Sequence, residues 1–243
     1  MHQKRNLQTS RGTAAGIFRS MPPKSTNRAT TILTVIPKQL PDSIPALQQL
    51  AARCRACDLW KCGTQTVFGL GSPQARLMFV GEQPGDKEDL SGLPFVGPAG
   101  AVLDKALAEV GIDRSDVYLT NIVKHFKWEP RGKRRIHKKP NAVEIAACRP
   151  WLESEVQAVK PRLIVCLGAT AAQGILGRQF RVTQQRGKLV PCPLGPPAIA
   201  TVHPSAILRS PDTKSRHAEY TKFVNDLHAV RALASVEGES RAA

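Results

Sequence analysis

The sequence is poor in acidic and aromatic residues and lacks long apolar runs. Only 19 Asp and Glu stand against 35 Lys and Arg, and aromatic residues make up 5% of the chain. The absence of an apolar run of membrane-spanning length excludes a transmembrane helix. The basic start, residues 1–11, is not followed by an apolar segment, which argues against a secretory signal. We therefore expect an intracellular, cytoplasmic protein with no membrane partner.

The net charge of +16 is concentrated in two segments. Residues 1–40 contain seven Lys and Arg and no acidic residue, and residues 124–139 contain eight, with Glu129 as the one acid. A concentrated positive charge predicts a polyanionic partner, most commonly a nucleic acid. For residues 1–40, a merely solvated charged tail explains the composition equally well.

The pattern along the chain predicts an α/β protein with a three-layer α/β/α architecture and a central parallel sheet, because strands and helices alternate. Residues 41–236 form the predicted domain, between a disordered basic tail at 1–40 and a short tail at 237–243. A short strand is possible at Thr31–Ile36. The predicted strands are 75–80, 117–123, 162–167 and 198–202, the predicted helices are 43–54, 98–110, 142–159, 168–176 and 213–233, and a hairpin is expected at 180–190.

Residues 131–139 form the most basic stretch, with six Lys or Arg in nine positions. The stretch contains a glycine and few apolar residues, so we expect an exposed loop that meets phosphates. Within it lies His137, whose imidazole can be a neutral nucleophile near pH 7. On composition alone, a plain phosphate contact is the simpler role for this histidine.

Polar side chains follow several of the predicted strands. The turn Gly81–Asp86, Asn121 and His203 each come directly after a strand, and Phe95 lies in a loop flanked by Pro and Gly. Since ligands bind at the carboxyl ends of parallel strands, these residues should converge on one cleft. Each has a simpler alternative: an ordinary turn, a capping Asn, or an aromatic that packs under its loop.

The six cysteines do not suggest a disulfide framework in a reducing compartment. Cys166 lies in an apolar strand and is predicted to be core, and Cys192 lies in a Pro-rich turn. Cys54 and Cys57 form a Cys-x2-Cys pair, which is a moderate signal for a metal site.

Taken together, the ordered motifs resemble the uracil-DNA glycosylase superfamily, and most closely its iron–sulfur family 4. The similarity covers about residues 45–233. Gln83 and Lys133–His137 narrow it to the UdgX group, whose members carry an inserted basic loop with a reactive histidine. The matching segments are 81–86, 93–97, 118–124 and 203–209.

The resemblance implies a [4Fe–4S] cluster. Cys54, Cys57 and Cys148 match three of the family's ligand positions, and His125 stands where ordinary family 4 members have the remaining Cys. Imidazole can replace a thiolate at an iron–sulfur centre. Cys62 is a rival fourth ligand, and a zinc site is the alternative, because three Cys and one His also suit zinc.

The resemblance also implies how uracil is bound. A uracil extruded from DNA would stack on Phe95, bond to Asn121 and contact Gln83, while His203 stabilises the charge that forms on the base as it leaves. DNA backbone contacts are expected from the basic loop and the segment after His203, namely Arg131, Lys133, Arg134, Arg135, Lys138, Ser205 and Arg209.

For His137, the resemblance implies attack on C1′ of the deoxyribose and a lasting covalent bond. Such a nucleophile needs an orienting acceptor, for which Glu82 is the first candidate and Asp86 the second. We therefore expect a monomer that acts once on uracil-containing DNA, with single strands preferred. The competing hypotheses are a multiple-turnover glycosylase and a non-catalytic nucleic-acid-binding module.

Overall fold

A computed structural model describes residues 36–236 of the chain. The tail predicted at 237–243 lies outside the described residues. So do residues 1–35 of the predicted basic tail, including all but the last residue of the strand proposed at 31–36. Residues 36–40 have no regular secondary structure.

The strands within residues 36–236 form a six-stranded sheet and a separate two-stranded one. The larger sheet has the order β1-β3-β2-β6-β8-β7. Its four inner strands are parallel, as predicted, but β1 and β7 pair antiparallel at the two edges, so the sheet is mixed. The strands are β1 (Leu70–Gly71), β2 (Leu77–Gly81), β3 (Val117–Asn121), β4 (Trp128–Arg131), β5 (Arg134–His137), β6 (Leu163–Leu167), β7 (Leu189–Val190) and β8 (Ala198–Thr201).

The predicted long helices are all present. Three short helices, α2, α6 and α7, and two 3-10 turns, at 58–61 and 114–116, were not predicted. In the described part of the chain, no helix has the length and apolar character needed to cross a membrane. The α-helices are α1 (Ile44–Ala51), α2 (Asp86–Ser91), α3 (Pro98–Glu109), α4 (Ala142–Val159), α5 (Ala169–Leu176), α6 (Val182–Gln185), α7 (Pro204–Leu208) and α8 (Thr213–Val236).

Both faces of the large sheet are covered, which confirms the three-layer architecture. Side chains alternate along a strand, so Met78 and Val80 of β2 face one core while Leu77 and Phe79 face the other. The first core also contains side chains of α1, α4 and α5, and the second contains side chains of α3, α7 and α8. All five residues of β2 are buried, as expected for an inner strand of a parallel sheet.

The basic segment is largely exposed, as predicted, but it forms a β-hairpin and not a loop. β4 and β5 pair antiparallel, with Trp128 opposite His137 and Arg131 opposite Arg134. Gly132 has a φ of +59° at the first position of the two-residue turn, where hairpins favour glycine. The hairpin gives His137 a fixed place at the end of β5.

The prediction of a hairpin at 180–190 is also wrong. Its first half forms the short helix α6, and its second half, β7, pairs with β8. Gly187, with a φ of +72°, donates its N–H to the carbonyl of Ala200. The strand partner of β7 therefore comes from the sheet, not from the preceding ten residues.

The order of the sheet places a crevice at the end of β2. The chain passes from β2 to β3 on one side and later returns to β6 on the other side of β2. The helix α3 that follows β2 packs in one core, whereas α4, which follows β3, packs in the other. Ligands of open α/β sheets bind at such a change of direction, where the connections part.

The helix α4 begins as the sequence predicts. The Asn141 side chain accepts the N–H of Glu144 at 2.9 Å, and the Glu144 carboxylate accepts the N–H of Asn141 at 2.7 Å. This reciprocal capping fixes the start of the helix. One turn further on, α4 carries Cys148, and two turns beyond that Glu155.

Candidate active site

The first part of the site lies where β2 and β3 end together. Gly81 and Asn121 are paired in the sheet. A Cβ atom on Gly81 would lie 2.3 Å from Asn121 Oδ1 and 2.8 Å from Phe95 Cζ. The absence of a side chain at Gly81 therefore allows the Asn121 carboxamide and the Phe95 ring to meet at one point.

Phe95 is held in a left-handed backbone conformation, with a φ of +57°. This conformation is rare for a residue with a side chain and persists only where the surroundings enforce it. Gly100 makes it possible, because a Cβ there would lie 1.8 Å from the Phe95 carbonyl oxygen. Phe95 is 7% exposed and packs in the core beside α3, so it has the packing role given above as its simpler alternative. Its centroid also lies 6.1 Å from that of His203, with the rings 28° from parallel.

His203 precedes α7 and has a defined tautomer. Its Nδ1 accepts the backbone N–H of Ser205 at 3.2 Å and lies 2.8 Å from Ser205 Oγ. A backbone N–H can only donate, so Nδ1 carries a lone pair and Nε2 carries the proton in the neutral ring. Arg209 donates to Ser205 Oγ at 3.0 Å and so supports the same arrangement. His203 can therefore donate one hydrogen bond from Nε2.

The electrostatic surroundings keep His203 neutral. Loss of solvation lowers its pKa to about 4, and the positive charges of Arg209 and of a protonated His137 act in the same direction. His137, His203 and Arg209 therefore lie close enough to influence one another electrostatically. A neutral donor beside the crevice can stabilise an oxygen that gains negative charge.

His137 meets Glu82 at the edge of this crevice. The two atoms His137 Nε2 and Glu82 Oε1 lie 3.3 Å apart, and the His137 side chain is 48% exposed. Burial lowers the pKa of His137 below its usual value and Arg209 adds to the effect, although Glu82 opposes both. The imidazole is therefore mostly neutral at pH 7, as a nucleophile requires. Of the two predicted acceptors, the structure places Glu82 beside this histidine.

Gln83 has a different set of partners from the one predicted. Its Nε2 donates to the carbonyls of Lys127 at 3.0 Å and Lys138 at 3.3 Å, and its Oε1 accepts the N–H of Lys127 at 3.3 Å. The carboxamide is therefore engaged at the base of the hairpin and is not free to contact a uracil carbonyl. It fastens both strands of the hairpin to the end of β2.

Arg135 also holds the hairpin, contrary to its expected role at phosphates. Its Nε lies 2.5 Å from Asp86 Oδ1 and its Nη1 lies 2.6 Å from the buried Asp89 carboxylate. The guanidinium also stands over the rings of Phe126 and Trp128. Because Asp86 is paired with this arginine, the structure does not bring it to His137. Asp86, the second predicted acceptor, thus joins α2 to β5 through its ion pair with Arg135.

The other hairpin cations are exposed on the protein surface. Within residues 36–236, Lys138 pairs with Glu129 across the strands, whereas Arg131, Lys133 and Arg134 at the tip form no salt bridge. The exposed Arg209 lies near His137 and His203, as its effect on both pKa values indicates. Exposed cations at the hairpin tip and at Arg209 suit contact with a phosphate backbone.

A second cavity lies on the other side of Asn121–His125. Its lining includes all four predicted cluster ligands. In the described part of the chain, no three Cys, His, Asp or Glu side chains converge tightly enough to hold a single metal ion. A four-iron cluster is ligated at separate corners, so its ligands surround a cavity. The lining residues are Cys54, Ala56, Cys57, Lys124, His125, Ala147, Cys148 and Trp151.

The thiols of this cavity are suited to a cationic centre. Burial raises the pKa of Cys148 to about 12 and also raises the pKa of Cys57. Buried thiolates need compensation by positive charge, which a metal centre supplies. Two N–H groups already point at sulfur: Lys124 N to Cys148 Sγ and Trp151 Nε1 to Cys54 Sγ, both at 3.3 Å. Such hydrogen bonds to ligand sulfurs are typical of iron–sulfur sites.

His125 lines the cavity and has a defined tautomer. Thr66 Oγ1 donates its proton to the Ala51 carbonyl, so the 3.0 Å contact with His125 Nε2 must be donated by the ring. The lone pair is then on Nδ1. Burial lowers the pKa of His125 to about 4, which keeps that lone pair available. Cys62 is exposed and does not line the cavity.

Sequence comparisons agree with this geometry. Residues 68–228 match the model of the uracil DNA glycosylase superfamily. The chain belongs to this superfamily. It is 37% identical over 188 residues to a type-4 uracil-DNA glycosylase of Archaeoglobus fulgidus, covering 72% of this chain and 87% of that protein. It is 36% identical over 187 residues to a type-4 uracil-DNA glycosylase of Thermotoga maritima, covering 76% of this chain and 92% of that protein.

Sequence reasoning missed the residues that hold the hairpin and the buried pair behind Asn121. The two-residue spacing Gly132-Lys133 between polar runs was a hairpin signal that could have been used. The ion pair of Lys124 with Glu155 had no signal, since its members are 31 residues apart and a charged residue usually indicates exposure.

Replacing Gln83 by Leu should loosen the hairpin. The change removes three hydrogen bonds, at about 1 kcal/mol or more per bond. The Lys127 N–H and the Lys138 carbonyl lose their Gln83 partner, whereas the Lys127 carbonyl still accepts the N–H of Lys138. Amide exchange at residues 127–138 should therefore become at least about tenfold faster, as measured by hydrogen–deuterium exchange.

Gln65→Leu is the matched control. Its Nε2 donates to the carbonyls of Asp89 and Leu90, so its loss should affect α2 and leave exchange at 127–138 unchanged. Equal exchange in the wild-type protein and Gln83→Leu would contradict the anchoring role.

Proposed function

We propose that this protein excises uracil from DNA and that His137 captures the resulting deoxyribose in a covalent adduct. The observation that carries the proposal is the meeting of Phe95, Asn121 and the His203 Nε2–H at one crevice, with His137 and Glu82 at its edge. The type-4 relatives are uracil-DNA glycosylases, which supports the glycosylase part of the proposal.

The crevice offers uracil one stacking surface and one polar edge. Phe95 provides an aromatic face whose position is fixed by its strained backbone. The Asn121 carboxamide provides an acceptor and donors, which match the N3–H and a neighbouring carbonyl of uracil. Reading the base in this way requires it to leave the stack of its neighbours.

His203 stabilises the leaving base. When the bond between C1′ and N1 breaks, its electron pair passes to the base and negative charge builds on uracil O2. The Nε2–H of a neutral His203 donates to that oxygen. The low pKa of His203 means that the ring stays neutral through this step and need not transfer a proton.

His137 takes the place of the attacking water. One ring nitrogen uses its lone pair to form a bond with C1′, while the proton on the other ring nitrogen passes to Glu82. In the conformation seen, Nε2 faces Glu82, so a proton on Nε2 leaves the lone pair on Nδ1. The product is a neutral N-linked imidazole. It offers no good leaving group, so the protein would act once.

The exposed cations of the hairpin and Arg209 hold the DNA strand. Arg131, Lys133 and Arg134 are exposed at the hairpin tip, and Arg209 is bonded to Ser205 near His137 and His203. We propose that single-stranded DNA is preferred, because extruding a base from a single strand costs less free energy. We also propose that a monomer suffices.

We also propose that Cys54, Cys57, His125 and Cys148 hold a [4Fe–4S] cluster, with His125 binding through Nδ1. The buried thiols, the two N–H groups directed at sulfur and the common cavity support the fit. A bound cluster would supply structural rigidity by joining the segment after α1, the end of β3 and α4.

A conventional multiple-turnover glycosylase is the second candidate. The names of the type-4 relatives favour it, and the same crevice would serve if water reached C1′ and His137 bound a phosphate.

The adduct can be detected directly. Mixing the protein with a uracil-containing single strand and denaturing it in detergent should leave a slower band that persists on the gel. Free abasic DNA without this band would support the multiple-turnover candidate, and intact DNA would argue against any glycosylase activity.

His137→Ser tests the nucleophile in the same assay. It should abolish the persistent band yet still release uracil, because water can enter the vacated space. His217→Ser, on the exposed part of α8, is the control and should form the adduct as the wild-type protein does. Adduct formation by His137→Ser would show that another residue attacks.

The adduct rate should depend on pH through His137. Its neutral form attacks, and its pKa is lowered, so the rate should rise with pH and reach its plateau at a lower pH than an ordinary histidine would allow. Arg209→Ala removes a nearby positive charge, raises the pKa of His137 and should move the midpoint to higher pH at saturating DNA.

Arg216→Ala, an exposed arginine on α8, should leave the midpoint in place. A profile that is the same for the wild-type protein and Arg209→Ala would contradict this electrostatic account.

The purified protein should be brown and contain iron at cluster stoichiometry. His125→Ala should lower the iron content, whereas Cys62→Ala should retain it, because Cys62 lies away from the cavity. Zinc without iron, or loss of iron in Cys62→Ala alone, would contradict the proposed ligand set.

A further inference from the structure

A lysine is buried close to both the crevice and the cavity lined by Cys54, Cys57, His125 and Cys148, here called the thiol cavity. The Lys124 side chain is 1% exposed, and its Nζ donates to Thr120 Oγ1 at 2.6 Å, the Asn121 carbonyl at 2.7 Å and Glu155 Oε2 at 2.5 Å. An ammonium group has three protons, so all three are used. One of these three bonds reaches the backbone of the residue that would bind uracil.

Glu155 completes this buried network. Its side chain is fully buried, and its Oε1 accepts the N–H of Gly69 at 3.0 Å and the hydroxyl of Tyr118 at 3.1 Å. Burying an ion pair costs several kcal/mol of desolvation per ion and is often no more stabilising than apolar packing. Stability alone is therefore a weak reason for this pair to be here.

The position of Lys124 in the chain suggests a different reason. Its backbone N–H donates to Cys148 Sγ at the second cavity, while its side chain turns back to the Asn121 carbonyl. Between these points, the N–H of Val123 donates to the carbonyl of Glu82, the partner of His137. Lys124 thus connects Cys148, at the thiol cavity, to Asn121, at the end of β3. The neighbouring residue Val123 bonds to Glu82.

We propose that Lys124 is a positioning residue that fixes the Asn121 carboxamide for base recognition, with Glu155 as its counter-ion. The inference rests on the proposed function, because it assigns to Asn121 the binding of uracil. Without the Nζ bond, the peptide after Asn121 keeps only the hydrogen bond from the Ile122 N–H to the Gly81 carbonyl, so the Asn121 side chain is held less firmly. Displacement of a recognition group by about 1 Å can lower a rate by about 10²-fold.

The test uses a charge-balanced variant, because Lys124→Met alone would leave Glu155 buried without a partner. In Lys124→Met/Glu155→Gln, the glutamine still accepts from Gly69 and Tyr118. We expect single-turnover uracil excision to fall by about 10²-fold. The iron content and the dissociation constant for a thymine-containing single strand should not change.

Two controls separate positioning from general stability. Glu155→Gln keeps the Nζ bond to Asn121, so it should lose stability but excise uracil within a few-fold of the wild-type rate. Arg186→Met removes another part-buried ion pair, with Asp226, and should likewise lower the unfolding temperature more than the rate.

The outcomes are distinct. Wild-type excision by the double variant would overturn the positioning role, as would a rate loss in all three variants that follows their loss of stability. Loss of iron in the double variant would also overturn it, because the effect would then pass through the cluster. Failure of the wild-type protein to excise uracil would instead overturn the proposed function.

Discussion

The hydrogen bonds of the Gln83 carboxamide determine where the hairpin points. They join Lys127 and Lys138, the two ends of the hairpin, to the residue that follows β2. A cationic segment of this length would otherwise repel itself and move freely in solvent. Anchored in this way, and clamped by Arg135 to α2, it becomes an arm that holds His137 beside Glu82.

The same segment of chain serves both cavities. Asn121, at the end of β3, lies at the base-binding crevice, and four residues later His125 lines the thiol cavity. The backbone between them bonds to Gly81, Glu82 and Cys148, so the two sites share one hydrogen-bonded segment. The proposed cluster would therefore stabilise the segment that carries Asn121.

Much of the fold follows from the sequence, and part of the site does as well. The inner strands and long helices were predictable because their apolar periodicity reflects burial, and the strand ends located Asn121 and His203. The hairpin at 128–137 was missed because its residues are polar on both faces, so periodicity carries no signal. The roles of Gln83 and Arg135 were not predictable, since they depend on partners more than 40 residues away.

The central claim is that His137 itself bonds to the deoxyribose. Peptide mass spectrometry tests it most directly, after uracil-containing single-stranded DNA and the protein are mixed and digested with nuclease and protease. The account predicts a deoxyribose-phosphate remnant on the peptide that contains His137, with fragment ions placing it on that residue. An unmodified His137 peptide alongside quantitative release of uracil would contradict it.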